Sequence, residues 1–118
     1  MATPEPGAVL ERVRTFTQDD YDAFAALTGD DNPIHVDAEF ARRSKFGRTV
    51  AHGMFLYSGV CSVLGSQLPG PGTLQLEQEL MFPSATPADE EVEIAIAVDV
   101  APRGCVGHDA AEARAESA

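Results

Sequence analysis

The spacing of hydrophobic residues changes along the chain, and each spacing predicts a different element. Residues 8–16 partly alternate apolar and polar positions and predict a first strand. In residues 74–82 and 92–100 the alternation is clearer, with apolar residues on one face and mainly polar or small residues on the other. A period of two with one polar face is typical of strands that are covered on one side only. We therefore predict a sheet with one buried face.

Helical spacing predicts two helices after the first strand. Residues 18–28 carry apolar side chains three and four positions apart, and Thr17 and Gly29 suit the two ends of such a helix. Residues 38–45 predict a shorter helix that begins after Asp37. The connection between the two helices contains a proline, so we do not expect it to be helical throughout.

A third helix, over residues 51–67, is apolar on nearly every face. A helix of this kind must be enclosed by other structure. The Pro-Gly-Pro-Gly run at 69–72 ends it in a turn. The simplest packing is a sheet wrapped around this helix, which is an α+β arrangement.

Polar residues that suit proton transfer are concentrated in one loop and at the start of the third helix. Imidazole is the side chain best suited to proton transfer near neutral pH, and a nearby carboxylate can orient it or share a water with it. A helix start offers free N–H groups for a developing oxyanion, and a glycine there lets a carbonyl approach closely. These are the parts needed to add water across an activated C=C bond. The residues are Asp30, Asp31, Asn32 and His35 in the loop, and His52 and Gly53 at the helix start.

Each of these residues also has a plainer interpretation. Asp-Asn-Pro is an ordinary turn sequence, in which Asp30 or Asp31 can simply cap local amides. His52 taken alone is more often structural than catalytic, because a helix N-terminus disfavours a protonated imidazole. Cys61 lies in an apolar run and is expected to be a buried thiol. The spacing of Cys61 and Cys105 is not of the metal-binding type, and no metal site is predicted.

Three blocks of sequence resemble the MaoC-like proteins and (R)-specific enoyl-CoA hydratases. Gly-Asp-Asp-Asn-Pro-Ile-His-Val-Asp at 29–37 resembles their G-D-x-N-P-x-H-x-D motif. Ala-His-Gly-Met at 51–54 resembles the A-H-G-M that opens their central helix, and Leu-Pro-Gly-Pro-Gly at 68–72 resembles the turn after it. The blocks occur in the same order at fitting distances, which makes the turn-only interpretation of the loop the weaker one.

The resemblance implies a hot-dog fold, in which an antiparallel sheet wraps round one long helix, over a domain at 8–100. Such domains are normally dimeric. The implied reaction is the reversible syn hydration of a trans-2-enoyl thioester to a (3R)-3-hydroxyacyl thioester. No cofactor is expected beyond the CoA or acyl carrier protein that belongs to the substrate.

The resemblance also assigns roles to residues of the site. Asp30 and His35 would hold the reacting water and divide the tasks of activating it and delivering a proton. Asp30 is favoured over Asp31 because the family's aspartate stands five residues before its histidine. The amide of Gly53 would bind the thioester oxygen, with His52 beside it.

Three further residues are expected to support the site. Asn32 would support the loop. Many (R)-hydratases carry a serine in the central helix that supports the aspartate, but here that position is Cys61, with Ser62 next to it. Because a thiol is a poorer hydrogen-bond donor than a hydroxyl, either Ser62 takes over this contact or the contact is weakened.

Residues 101–118 depart most from the family. They contain six alanines and one β-branched residue, Val106, and are expected to form a disordered or frayed tail. The resemblance places two interior strands here, which would join 74–82 to 92–100. Without them the central helix keeps an exposed apolar face and sheet edges stay open. We therefore expect an incomplete domain, a rewired hairpin or strand exchange with a partner.

Charge adds one candidate site and excludes two classes of partner. A formal net charge of −11 argues against nucleic acid and against an anionic membrane. Half of the basic residues nevertheless lie close together and could hold the phosphates of CoA or the acidic surface of a carrier protein. The alternative is that they complement a helix C-terminus. These basic residues are Arg42, Arg43, Lys45 and Arg48.

Two hypotheses about function follow from the sequence. The first is a hydro-lyase acting on acyl thioesters, which the motifs favour. The second is a non-catalytic or truncated hot-dog subunit that binds acyl thioesters or needs a fuller partner subunit, which the tail favours. Residues 1–7 lack the features of a secretory signal and residues 50–68 are too polar for a membrane span, so a soluble cytoplasmic protein is expected.

Overall fold

The structure is a computed structural model that describes residues 7–98 and the backbone of 111–117. Its strands form one antiparallel sheet in the order β1–β2–β3, and helix α4 packs against β2. The predicted α+β arrangement is confirmed. The elements are β1 Val9–Thr15, α1 Gln18–Thr28, α2 Pro33–Val36, α3 Ala38–Arg42, α4 Gly53–Ser66, β2 Glu91–Val98 and β3 Ala111–Ser117.

Helix α1 has the ends that its sequence predicts. The Thr17 side chain accepts a hydrogen bond from the Asp20 amide, and the Asp20 carboxylate accepts one from the Thr17 amide, which completes a capping box. Gly29 has a φ of 82°, and its amide donates to the Ala25 carbonyl at 2.8 Å. A glycine suits this position because other residues rarely adopt a left-handed conformation.

The structure has two short helices where the sequence predicts one. The loop after Gly29 contains a single helical turn, α2, which begins at Pro33 because a proline is tolerated in the first turn of a helix. Helix α3 begins after Asp37 as predicted, but it ends at Arg42 instead of continuing to residue 45. The hydroxyl of Ser44 donates to the Ala41 carbonyl at 2.6 Å, so a side chain satisfies part of this helix end.

The core lies between α4 and one face of β2. The buried positions of β2 alternate with exposed or half-buried ones, which confirms the strand prediction for 91–98; residues 99 and 100 lie outside the described part. Phe55 adds edge-to-face contacts with Phe16 at 4.7 Å and with Tyr21 at 5.5 Å between ring centroids. The buried cluster consists of Phe16, Tyr21, Leu56, Val60, Val63, Leu64, Ala88, Val92, Ile94 and Ile96.

The strand predicted over 74–82 is wrong. In the described part of the chain this segment has no strand partner, and Leu74 and Leu76 are 72% and 68% exposed. A strand needs a neighbour for its backbone hydrogen bonds, and in the described residues the segment pairs with neither of the two edge strands, β1 and β3. The segment instead lies near α4, where the Tyr57 hydroxyl bonds to the side chains of Gln75 and Gln78.

The prediction of a disordered tail is wrong for residues 111–117. Their backbone forms β3, which pairs antiparallel with β2 and sets Ala113 opposite Ile96 and Ala115 opposite Ile94. Alanine alternates with charged residues along Ala-Glu-Ala-Arg-Ala-Glu-Ser, and this period of two is the signal that the low β propensity of alanine concealed. Residues 101–110 and 118 lie outside the described residues.

The described residues leave part of helix α4 uncovered. Its face towards β2 is buried, but Met54 on another face is 51% exposed and Cys61 is half-buried, whereas a buried thiol was expected. The second cysteine, Cys105, lies outside the described residues. Among the helices in the described residues, none is long and apolar enough to cross a membrane.

Stability is expected to fall at high pH because of Tyr21. Burial first, and then the carboxylates of Asp89 and Asp20, raise the pKa of Tyr21 from 10.0 to about 12. Between those two values the unfolded chain has lost a proton that the folded chain keeps, so the free energy of unfolding decreases with rising pH, by less than about 3 kcal/mol. Urea unfolding across this range measures the loss.

Tyr21→Phe tests the origin of this loss. The variant loses the hydroxyl that donates to the Thr86 carbonyl at 3.3 Å, but its stability should depend less on alkaline pH than that of the parent. If the two proteins lose stability equally steeply, the ionisation of Tyr21 is not the cause.

Candidate functional site

Two loops and the start of α4 bring three titratable side chains together. A carboxylate oxygen of Asp30 and one ring nitrogen each of His35 and His52 all lie within 4.8 Å of one another. Asp30 precedes α2, His35 lies within α2, and His52 is the N-cap residue of α4. A single water about 2.8 Å from each partner can bridge a separation of this size.

The ring of His35 is fixed by a backbone carbonyl. Its Nδ1–H donates to the Val50 carbonyl at 2.8 Å, since a carbonyl can only accept. The neutral ring therefore carries its lone pair on Nε2. The main chain is also held, because the Gln18 side chain donates to the His35 carbonyl at 2.8 Å and the Val50 amide donates to the Ile34 carbonyl.

His52 is 2% exposed and contacts both members of the Asp30–His35 pair. Its Nε2–H donates to the backbone carbonyl of Asp30 at 2.8 Å, and its ring stacks on His35 with centroids 3.9 Å apart and planes inclined by 27°. Phe24 meets the same ring edge-on, at 4.8 Å between ring centroids. Among the described residues, His52 Nδ1 has no hydrogen-bond partner.

The structure separates the two neighbouring aspartates. The Asp30 carboxylate belongs to the cluster, and the Asp30 amide donates to the Thr28 hydroxyl at 3.2 Å. Asp30 and Asp31 are both exposed, but the Asp31 carboxylate is not part of the cluster, and the Asp31 amide donates to the Gly29 carbonyl. Asn32 caps α2 by accepting from the Ile34 amide at 3.4 Å. The prediction that Asp30 is the functional aspartate is consistent with this geometry.

Gly53 opens α4, where a backbone amide has no acceptor within the helix. A Cβ at this position would lie 3.1 Å from the ring of Phe82, so the absence of a side chain lets Phe82 pack here. Gly53 also lines an open cavity of about 340 Å³, together with Leu56 of α4. Neither Asp30, His35 nor His52 lines this cavity. The remaining lining residues are Lys45, Phe46, Ala51, Phe82, Pro83, Ser84, Ala85 and Thr86.

The side chains expected to support Asp30 from α4 make other contacts. The Ser62 hydroxyl donates to the Gly59 carbonyl at 2.7 Å, and the Cys61 sulfur accepts from the Gln75 side chain at 3.3 Å. The backbone of Asp30 is instead held by Thr28 and His52.

The basic residues do not form one free patch. Arg42 pairs with Glu39 at 2.5 Å, and Arg48 pairs with Glu90 at 3.2 Å and also donates to the Ala88 carbonyl. Both pairs are too exposed to contribute much stability. Arg43 donates weakly to the Glu39 carbonyl, and Lys45 lines the cavity beside Phe46.

The cluster is better arranged for proton transfer than for a metal ion. Lone pairs lie in the planes of imidazole rings, and the two rings here are nearly parallel. Such lone pairs do not converge on one point at the ~2.0–2.1 Å of a metal–nitrogen bond without a rotation of the rings. A carboxylate and a free Nε2 that can share one water are suited to moving protons.

Two of the positioning groups had no signal in the sequence. The Val50 carbonyl orients His35, but a backbone carbonyl is present at every residue. Gln18 joins α1 to α2 and also accepts from the Thr49 hydroxyl, although in sequence it is an ordinary residue of a first helical turn.

Comparison with known proteins shows the family of the chain. The sequence matches the MaoC like domain over residues 2–105. It is 38% identical over 85 residues to the 3-hydroxybutyryl-CoA dehydratase of Methylorubrum extorquens, and the aligned region covers 72% of this chain and 54% of that protein. It is 43% identical over 76 residues to the (R)-specific enoyl-CoA hydratase of Aeromonas caviae, and this alignment covers 64% of this chain and 57% of that protein. The chain thus spans a little over half the length of these relatives.

The structural comparison covers more of the chain. The fold superposes on the (R)-hydratase from A. caviae involved in PHA biosynthesis with a TM-score of 0.91 and 32% sequence identity. The superposition includes 99% of this chain and 88% of that one. This chain therefore belongs to the family of MaoC-like domains and has the hot-dog fold of the hydratases it resembles.

Proposed function

We propose that the protein is a hydro-lyase that adds water reversibly and in syn fashion to a trans-2-enoyl thioester and forms a (3R)-3-hydroxyacyl thioester. The observation that carries the proposal is the position of the Asp30 carboxylate and His35 beside the N-terminus of α4. The names of the similar proteins, a 3-hydroxybutyryl-CoA dehydratase and an (R)-specific enoyl-CoA hydratase, support the same reaction.

The proposed step uses the Asp30 carboxylate and the Nε2 of His35 as an acid–base pair. A water held between them bonds through its oxygen to the β-carbon, while one of the two groups accepts a proton from this water. The α-carbon receives a proton from the pair, so the overall change is the addition of H and OH across the C=C bond. Because both groups lie in one cluster, they would deliver the water and the proton from the same side of the C=C bond, which supports a syn outcome.

The start of α4 would stabilise the charge that develops on the thioester oxygen. The Gly53 amide has no acceptor within the helix, and the dipole of α4 adds positive potential at the same end. A preorganised donor of this kind typically contributes about 10²–10³ in rate. Phe82 lies next to Gly53, so a bound thioester would contact this ring.

The direct test is the hydration of crotonyl-CoA by the purified protein, followed by the loss of enoyl absorbance. In the reverse reaction, the protein should dehydrate (3R)-3-hydroxybutyryl-CoA but not the (3S) enantiomer. The (3S) enantiomer is therefore the matched control. An absence of turnover in both directions, by protein that is folded by circular dichroism, would contradict the proposal.

A second candidate is a binding subunit without activity of its own. The exposed leucines of 74–82, in a segment without a strand partner in the described residues, favour a chain that associates with a fuller subunit. Sedimentation equilibrium separates the two: a defined homodimer with activity supports the enzyme, and an inactive protein that becomes monodisperse only with a related hot-dog subunit supports the alternative. The cytoplasmic location and the absence of a cofactor stay predictions from the sequence.

The carrier of the thioester is proposed to contact Lys45. Arg42 and Arg48 are already paired with carboxylates, whereas Lys45 lines the cavity that Gly53 shares. We expect Lys45→Glu to raise the KM for crotonyl-CoA by about fivefold at low salt, with the difference shrinking at high ionic strength. Arg42→Glu, which changes the charge by the same two units, is the control and should change KM less. Equal effects of the two substitutions would point to a diffuse field of all the basic residues.

A further inference from the structure

His52 spans the candidate site in a way that neither its position at the start of α4 nor substrate binding explains. One edge of the ring donates to the backbone that carries the Asp30 carboxylate, and one face packs on His35. The ring is 2% exposed and Phe24 covers another side of it, so the ring is buried among protein atoms. Its Nε2–H is already engaged and therefore is not available to a thioester oxygen.

The stability of the fold does not explain a histidine here. Because Nε2 donates to a carbonyl, the neutral ring has its lone pair on Nδ1, and this buried acceptor has no partner in the described part of the chain. An unsatisfied buried acceptor costs about as much as the hydrogen bond at Nε2 contributes. A phenylalanine would fill similar space and make similar ring contacts without the unsatisfied nitrogen. What the histidine adds is the N–H to Asp30.

We propose that His52 is a positioning residue: it fixes the two members of the acid–base pair relative to each other and relative to the start of α4. The hydrogen bond fixes the main chain of Asp30, and the stacked face fixes the ring plane of His35, whose other fixed point is the Val50 carbonyl. Since His52 is also the residue before Gly53, the same residue ties the pair to the amide proposed to bind the thioester oxygen. This inference rests on the proposed hydratase activity.

Two substitutions separate the hydrogen bond from the stacked ring. His52→Phe keeps a flat ring against His35 and Phe24 but removes the donor to Asp30. His52→Gln keeps an N–H at a similar reach but removes the ring. We expect His52→Phe to lower kcat for crotonyl-CoA about 10²-fold, the scale of a misplacement of about 1 Å, with KM nearly unchanged. His52→Gln should retain more activity, since the donor to Asp30 is preserved.

The split between kcat and KM distinguishes the possible roles. A rise in KM with kcat unchanged would mean that His52 binds substrate, and this would overturn the proposal. It would also be overturned if His52→Phe kept kcat within about threefold of the parent, because the scale expected for lost positioning is much larger. A loss of melting temperature with unchanged activity per folded molecule would show a merely structural role and would overturn it as well.

A measurement on the parent protein tests the geometry without any variant or activity. Long-range nitrogen–proton NMR spectra of the histidine rings should show His52 protonated on Nε2 and His35 protonated on Nδ1, as the two carbonyl contacts require. The opposite tautomer at His52 would overturn the positioning role. If these tautomers are found but crotonyl-CoA is not hydrated, the proposed function fails while the arrangement of the pair stands.

Discussion

Asp30→Asn and His35→Asn should each lower kcat for the hydration of crotonyl-CoA by about 10²–10⁴-fold, the usual contribution of a general acid or base. Both substitutions are chosen to disturb the local structure as little as possible. Asparagine at 30 keeps the size of the side chain, and asparagine at 35 can keep a donor to the Val50 carbonyl while it removes Nε2, the ring nitrogen that this contact leaves free. Because the groups removed are needed in the chemical step, KM should change much less than kcat.

Asp31→Asn is the matched control for the first substitution. Asp31 is adjacent in sequence, also acidic and exposed like Asp30, but its carboxylate is not part of the cluster and its amide bonds within the turn. Its activity should stay within about threefold of the parent, since it makes no general acid–base contribution. If instead Asp31→Asn were the impaired variant and Asp30→Asn the active one, the assignment of the aspartate would be wrong. Activity that survived both Asp30→Asn and His35→Asn would end the acid–base proposal.

Ile96→Ala should reduce the free energy of unfolding by about 2–5 kcal/mol, the range for removing a large aliphatic side chain from a packed core. Ile96 is 0% exposed and belongs to the row of β2 residues that faces α4. Its loss removes apolar burial and leaves a space that the helix and the strand cannot both close. Urea unfolding followed by circular dichroism measures the change.

Glu93→Ala provides the comparison on the same strand. Glu93 lies on the exposed face of β2, so its replacement should change the free energy of unfolding by no more than about 0.5 kcal/mol. A similar loss for both variants would mean that the two faces of β2 are not differently buried in solution. The urea dependence of the unfolding free energy should be alike in the two proteins, because both expose nearly the same surface on unfolding.

Elements whose signals are local could be predicted from the sequence. The capping box at Thr17, the glycine at 29 and the alternation along β2 each depend on residues close together in the chain, and the structure confirms the elements they predict. Pairing between strands depends on partners distant in sequence. Alternation at 74–82 therefore predicted a strand that found no partner in the described residues, while the alanine-rich 111–117 pairs with β2.

The site divides in the same way. The motif predicted Asp30 and His35, because the family that it resembles carries these residue types at this spacing. It could not identify what orients them, since the Val50 carbonyl and the side chain of Gln18 reach His35 only once α1, α2 and the loop before α4 have packed. The expected support of Asp30 by Ser62 is absent from the described contacts because that hydroxyl is satisfied within its own helix.

The contact between Phe82 and Gly53 would bear on selectivity among acyl chains in the proposed reaction. The Phe82 ring lines the cavity of about 340 Å³, and Phe82 ends the segment 74–82, which has no strand partner in the described residues. If longer acyl chains had to displace this ring to reach the Gly53 amide, discrimination between chain lengths would depend on how readily the backbone around residue 82 moves, more than on the volume of the cavity.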